Sequence, residues 1–75
     1  MDVQAYKGIV GERIKKLIGY SRITQVEVAN ALGVTKGTIT HYIKGNSFPD
    51  LAQLKMLCRI LDCSYEEILG SITEE

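Results

Sequence analysis

The fold is decided by residues 24–45, TQVEVANALGVTKGTITHYIKG. Thr24 and Glu27 have the spacing of a capping box, in which each side chain accepts the backbone amide of the other, so a helix begins here. Gly33 ends that helix, because glycine readily adopts the left-handed conformation that closes helices. Thr35 then caps a second short helix. Two short helices joined by a tight turn predict a helix-turn-helix.

Three more helices are predicted around this pair. Apolar residues recur every three or four positions from Val3 and again from Leu51, and a capping box at Ser64 opens a short last helix. Gly8 and Gly11 lie inside the first helix, where each should weaken it by up to ~1 kcal/mol relative to alanine. No alternating strand pattern of useful length occurs. The prediction is an all-α, compact five-helix fold.

The length of 75 residues, 8.3 kDa, corresponds to one domain. We expect residues 1–70 to form it and residues 71–75 to be a short acidic C-terminal tail. A chain of this size buries only about 60% of its unfolded surface, so a deep catalytic cavity would compete with the core for side chains. No phosphate-cradling glycine loop or plausible triad occurs. We therefore expect no catalytic residues, no cofactor and no small-molecule ligand.

Neither export nor metal binding is indicated. No apolar run exceeds three residues, far short of a membrane span or of the apolar region of a signal peptide. Cys58 and Cys63 lack the C-x-x-C spacing, and His41 is the sole histidine. Two reduced thiols in a cytoplasmic protein are therefore favoured over a disulfide or a zinc site, and no metal ligands are assigned.

Charge is distributed unevenly although the net charge is zero. Residues 1–48 carry seven basic and three acidic side chains, whereas residues 49–75 carry two basic and six acidic ones.

The second helix of the quoted pair has two chemically different sides. Ile39, Tyr42 and Ile43 lie on one side, and the other side has no carboxylate. Such a helix suits the major groove of DNA, while the free amides at the preceding helix start suit a phosphate.

The quoted stretch resembles the helix-turn-helix of the Cro/repressor-like (lambda repressor-like, XRE-type) family of bacterial and phage regulators. The resemblance extends from GERIKKL at residues 11–17 to LCRILDCSYEEIL at residues 57–69. It implies a five-helix domain, usually dimeric, whose third helix reads the major groove. The function expected is a sequence-specific DNA-binding transcriptional regulator, a repressor, that binds a palindromic operator in double-stranded DNA as a homodimer. We expect a cytoplasmic protein, prokaryotic or phage-encoded, that acts on the nucleoid.

The resemblance and the carboxylate-free face together place the contacts. Gly37 departs from the family pattern, because it can contact a base only through its amide, so readout should depend on Lys36 and His41. The alternative for His41 is that it is an ordinary surface residue. For Arg22, contact with the DNA backbone and no contact with DNA are equally expected. The residues assigned to base reading are Lys36, Gly37, Thr38, Thr40 and His41, and those assigned to phosphates are Arg22, Thr24, Gln25, Thr35, Lys44 and Asn46.

A second departure concerns the core. Where the family commonly pairs an arginine with a glutamate, this chain has Ile18 and Ile43. Replacing both members of such a pair by apolar groups is often neutral or stabilising. We predict that the two isoleucines are in van der Waals contact, within ~4.5 Å.

Some of the apolar residues near the C-terminus must close the core, and the others suggest a partner surface. A second copy would place two recognition helices about 34 Å apart, which matches successive major grooves. The alternative is a small protein-binding modulator, antirepressor- or antitoxin-like, with weak or no DNA binding, an interpretation that zero net charge and Gly37 keep open. The residues assigned to this dimer or partner surface are Tyr65, Ile68, Leu69 and Ile72.

Overall fold

A computed structural model of the chain describes residues 2–70, which form five α-helices and, within that range, no strand. Ile72 and the predicted acidic tail, residues 71–75, lie outside the described residues. The five-helix prediction and the position of the helix-turn-helix at the second and third helices are confirmed. The helices are α1 Val3–Ser21, α2 Gln25–Leu32, α3 Lys36–Ile43, α4 Leu51–Leu61 and α5 Tyr65–Leu69.

Every helix begins at a side chain that caps its first turn, which is why the boundaries are local in origin. The predicted capping boxes at Thr24 and Ser64 are both present, and so is the predicted cap at Thr35. A third box, between Asp50 and Gln53, opens α4 and was not predicted. The caps are Asp2, Thr24, Thr35, Asp50 and Ser64.

All five helices contribute to one core, with α1 packed against α3 and α5 while α2 lies against α3 and α4. Two residues that the periodicity placed on apolar stripes are outside it: Val3 is 60% exposed and Leu51 is 86% exposed. Both are the first residues of their helices, and this end of each helix extends beyond the core. The buried apolar residues are Val10, Ile14, Ile18, Val28, Ala29, Ile39, Tyr42, Leu54, Leu57, Cys58, Leu61 and Ile68.

The crossing of α1 over the end of α3 is made possible by glycine. A Cβ atom at Gly11 would overlap the backbone carbonyl oxygens of Tyr42 and Ile43. Gly45, which follows α3 and has a φ of 77°, lies against Gly8 of α1. A Cβ atom added at Gly45 would be 2.8 Å from the Cα atom of Gly8. The two helices therefore approach at backbone distance, closer than any residue with a side chain allows.

The turn between α2 and α3 also forms as predicted. Gly33 has φ 72° and ψ 29°, the left-handed conformation, and its amide donates to the carbonyls of Ala29 and Asn30. The amide of Val34 donates to the Ala29 carbonyl as well, at 3.0 Å. These bonds satisfy carbonyl groups in the last turn of α2, and the left-handed conformation of Gly33 turns the chain toward α3.

The two isoleucines that replace the family's ion pair join the same core. Ile18 is buried at 7% exposure, and Ile43 is half-buried and packs against the core cluster. Direct contact between the two side chains stays a prediction.

The cysteines are free thiols at the end of α4. Cys58 is buried and Cys63 is half-buried, and the Cys63 amide donates to the Cys58 carbonyl at 3.0 Å. Burial raises the pKa of both thiols, that of Cys63 to about 12. Since the thiolate is the nucleophilic form, these groups have little reactivity at neutral pH.

Candidate nucleic-acid interface

The two sides of α3 have opposite environments. Ile39 is fully buried and Tyr42 is 5% exposed, whereas Lys36, Gly37 and His41 are exposed on the other side. The division predicted for this helix is therefore present, although Thr38 and Thr40 are half-buried. Because the apolar side is held by the core, the polar side is displayed in a fixed orientation.

Tyr42 connects α3 to the start of α4. Its hydroxyl donates to Oε1 of Gln53 at 2.6 Å, and the same oxygen accepts the Asp50 amide at 3.2 Å. Burial, reinforced by the Asp50 carboxylate, raises the pKa of Tyr42, so the phenol keeps its proton. The position of α3 thus depends on Gln53, a residue that sequence reasoning missed because only the fold brings it to Tyr42.

The threonines of α3 use their hydroxyls inside the protein. Thr35 Oγ1 accepts the Thr38 amide at 3.2 Å and lies 3.2 Å from Thr38 Oγ1. The Thr40 hydroxyl donates to the Lys36 carbonyl at 3.1 Å. Side-chain donors for a ligand therefore come from the Lys36 ammonium and from the far end of the helix.

At that far end His41 is paired with Asn46. Their side-chain nitrogens, Nδ1 of His41 and Nδ2 of Asn46, are 3.4 Å apart, and the Asn46 amide donates to the His41 carbonyl at 2.9 Å. If the carboxamide donates, Nδ1 accepts and the ring proton is on Nε2. His41 then presents one outward donor, beside the exposed Lys44.

At the start of α2 the capping box occupies the donors of Thr24. Glu27 Oε1 accepts both the Thr24 amide at 3.1 Å and the Thr24 hydroxyl at 3.0 Å. These bonds, the backbone one first, lower the pKa of Glu27, which keeps its carboxylate charged. Gln25, half-buried at the first helical position, is therefore better placed than Thr24 to donate to a phosphate.

Arg22 lies in the connection just before that helix start. It is exposed and ends α1 with φ 60°, in the left-handed region. A residue with a Cβ atom is strained there, and Asp62 holds the equivalent place after α4 with φ 51°.

The predicted partner surface is only partly open. Ile68 is fully buried and closes the core of a single chain, so it does not face a partner. Leu69 is half-buried, and its carbonyl accepts the Tyr6 hydroxyl. Tyr65 is 49% exposed. Periodicity could not separate these cases, because α5 has fewer than two turns and its burial depends on what α1 and α4 cover.

Residues 13–74 match the family described as the Cro/C1-type helix-turn-helix DNA-binding domain. The chain belongs to this family. The predicted resemblance is thereby confirmed, and the chain carries a DNA-binding domain of the kind found in transcriptional regulators.

Known relatives of this Cro/C1-type domain include a curated protein that is much longer. Antitoxin PezA of Streptococcus pneumoniae serotype 4 is 27% identical over 62 residues, a match that covers 83% of this chain and 39% of that protein. The chain thus spans about two fifths of the length of this relative.

Solved structures share the fold. The SOS-response repressor LexA from Eubacterium rectale superposes with a TM-score of 0.80 at 22% identity, covering 95% of this chain and 76% of that one. The P22 c2 repressor, solved in complex with the synthetic operator 9T, has a TM-score of 0.77 at 26% identity, covering 84% of this chain and 97% of that one. Both support the repressor-like fold.

In residues 2–70 no group of three or more His, Cys, Asp or Glu side chains is arranged to hold a metal ion. Over that range no helix has both the length and the hydropathy needed to span a bilayer.

Proposed function

We propose that this domain represses transcription by binding a palindromic operator as a homodimer, with α3 of each copy in the major groove. The observation that carries the proposal is the fixed display of α3, whose Ile39 side is buried while Lys36 and His41 are exposed. A helix of eight residues is about 12 Å long, enough to contact one stretch of groove. No catalytic step is part of this function.

Phosphate contacts supply most of the affinity in this scheme, and base contacts supply the discrimination, ~1 to 3 kcal/mol for each good one. Lys36, Gly37, Thr38, Thr40 and His41 face the bases. The phosphate contacts are Arg22, Gln25, Lys44 and Asn46, while Thr24 and Thr35 act by holding the starts of α2 and α3 in place.

The homodimer follows from the need for two half-sites. Each chain carries one recognition helix, so a palindrome requires a second copy whose α3 lies about one helical turn of DNA away, ~34 Å. Tyr65 and Leu69 at α5, with Ile72 beyond the described residues, are the proposed contacts. The dimer is expected to be a prokaryotic or phage-encoded protein that acts on the nucleoid in the cytoplasm.

A second candidate function is a protein-binding modulator, and the sequence similarity to Antitoxin PezA, 27% identity over 62 residues, favours it. In that case the exposed apolar residues meet a partner protein, and DNA binding is weak. Zero net charge fits this candidate as well, since it gives no general attraction to polyanions.

Selection from random-sequence DNA tests the proposal. We expect enrichment of a palindrome, and an affinity for it that falls with salt by a logarithmic slope of about 0.9 for each phosphate contacted. Lys36→Glu should lower specific affinity more than about tenfold, because it puts a carboxylate against the acceptor-rich groove.

Lys16→Glu is the matched control, since Lys16 is exposed on α1 and the charge change is the same. Equal losses from both substitutions would indicate non-specific attraction alone. Failure to enrich any sequence, together with binding of a purified partner protein, would favour the modulator.

Arg22→Gly is expected to have opposite effects on stability and on DNA binding. Relief of the left-handed strain should raise the free energy of unfolding by about 1 kcal/mol, while loss of one phosphate contact should reduce the salt slope by about 0.9. Asp62→Gly relieves the same strain after α4 and should leave the slope unchanged. An unchanged slope in Arg22→Gly would remove Arg22 from the interface.

A further inference from the structure

We infer that Cys58 and Cys63 form a reversible modification site, at which a small organic disulfide oxidises the two thiols to an internal disulfide. The bond joins the end of α4 to the residue that precedes the cap of α5. The site lies outside α3 and outside the proposed DNA contacts, so it does not depend on the DNA-binding function. The reduced pair is its resting form.

The end of α4 is a Schellman motif with a cysteine at each of its two contacting positions. Asp62 is left-handed, with φ 51°, and its amide donates to the Arg59 carbonyl at 3.4 Å. The Cys63 amide donates to the Cys58 carbonyl at 3.0 Å. These two hydrogen bonds define the motif, and the residues joined by the second one commonly bring their side chains into contact. The motif thus pairs the two thiols.

The same hydrogen bond brings the backbones of the two cysteines within reach of a disulfide. With 3.0 Å between the Cys63 nitrogen and the Cys58 oxygen, standard bond lengths put the two Cα atoms at most about 6.9 Å apart. Cysteines can be bridged when their Cα atoms are less than about 7 Å apart. After burial, each thiol is also the largest influence on the pKa of the other. Rotation of the two side chains can therefore bridge them without a new backbone path.

The surroundings of the pair favour a neutral product over a charged one. Cys58 is 9% exposed and Cys63 is half-buried. The carboxylates of Glu67 and Asp62 oppose negative charge at Cys63. A metal ion would require both thiols as thiolates, and no third His, Cys, Asp or Glu side chain in residues 2–70 is arranged to complete such a site. A disulfide carries no charge, so it is the product that this environment opposes least.

Oxidation consists of two exchange steps. The more exposed Cys63 loses its proton and attacks a small disulfide, whose S–S bond breaks and releases one thiolate. Cys58 then loses its proton and attacks the Cys63 sulfur of the mixed disulfide, which expels the second thiolate. The released thiolates take up the two protons, so the protein loses two electrons and two protons and the small disulfide becomes two thiols. Burial raises the pKa of Cys63 to about 12, so its thiolate is scarce and the first step is slow at neutral pH.

Equilibration of the purified protein with mercaptoethanol and its disulfide tests the inference. The ratio of oxidised to reduced protein is measured by acid quenching and mass spectrometry, in buffer and in concentrated urea, with the same mercaptoethanol to disulfide ratio. Because the fold holds the thiols together, we expect that ratio to be at least about tenfold higher in buffer, equivalent to about 30 mV. An equal or lower ratio in buffer would overturn the inference. A disulfide-linked dimer as the main product would also overturn it.

Single-cysteine variants test the order of the two steps. Cys58→Ser retains the half-buried thiol and should form a mixed disulfide with mercaptoethanol. Cys63→Ser retains the buried thiol and should react at least about tenfold more slowly while folded. In concentrated urea the two variants should react at equal rates, because only the fold distinguishes their thiols. Equal or faster reaction of Cys63→Ser in buffer would overturn the assignment of Cys63 as the attacking thiol.

Thermal melting of the oxidised and reduced proteins shows whether the bond fits the folded chain. A disulfide that is favoured tenfold more in the folded state stabilises that state by the same factor. The oxidised protein should therefore melt roughly 5–10 °C above the reduced protein. A lower melting temperature after oxidation would show that the bridge distorts the end of α4 and would overturn the inference.

Discussion

Alanine at Gly11 is expected to lower the free energy of unfolding by about 3 kcal/mol, at the upper end of what overpacking usually costs. The added Cβ would overlap the carbonyl oxygens of Tyr42 and Ile43, which belong to backbone and cannot rotate away as a side chain would. Relief therefore requires α1 and α3 to move apart, and that movement disturbs the core between them.

Gly19→Ala is the matched control for this prediction. Gly19 lies in the same helix, is exposed, and has no atom within 4 Å of an added Cβ. Alanine there should stabilise the domain by up to ~1 kcal/mol through helix propensity. Thermal melts should separate the variants clearly, since 1 kcal/mol shifts the midpoint by roughly 4–8 °C in a domain of this size. Equal melting temperatures would show that the close crossing does not exist in solution.

Arginine in place of Ile18 is expected to cost about 3–5 kcal/mol on its own, because it puts an unpaired charge at a position that is 7% exposed. Adding Ile43→Glu should recover at least about 1 kcal/mol of that loss, a coupling of the size found for residues in contact. The double variant restores the ion pair that the family resemblance implies.

Urea unfolding of both single variants and the double variant completes the cycle. If the effects of the two substitutions simply add, within about 0.5 kcal/mol, then Ile18 and Ile43 do not interact and the predicted contact is wrong. If the arginine variant does not fold, a double-mutant cycle with Ile18→Val and Ile43→Val tests the same contact with smaller changes in the free energy of unfolding.

Helix starts were the most predictable part of this fold. The capping boxes at Thr24 and Ser64 satisfy backbone amides with side chains three residues away, so the information is contained in four consecutive residues. The turn at Gly33 is local for the same reason, because it depends on the φ that one residue can adopt. The helix-turn-helix and the family resemblance rest on these local features.

Burial was less predictable where a helix is short or where it begins. Periodicity put Leu51 on an apolar stripe, yet it is 86% exposed. Ile68 was one of four apolar residues that could either close the core or face a partner, and it is fully buried. A stripe shows which side of a helix is apolar but not how far neighbouring helices extend along it. That extent depends on contacts between residues distant in sequence.

The candidate site shows the same division. The exposed side of α3 was evident from residue types, but the hydrogen bonds that determine what this side can offer were not. Thr40 is committed to Lys36, His41 is joined to Asn46, and Tyr42 depends on Gln53. Each bond needs a specific side-chain rotamer or a neighbouring helix, which residue types alone do not specify.

By itself the amino-acid sequence determined where helices start, where the chain turns and which side of α3 is polar, because capping, glycine φ and helical periodicity act within a few residues. Tertiary structure alone decided which glycine of α1 is indispensable. Gly8, Gly11 and Gly19 are equivalent as helix residues, but only at Gly11 would a Cβ atom overlap the backbone of α3. The reason is steric: two helices can cross at backbone distance only at a residue without a side chain, and the crossing point is set by the packing of the whole core.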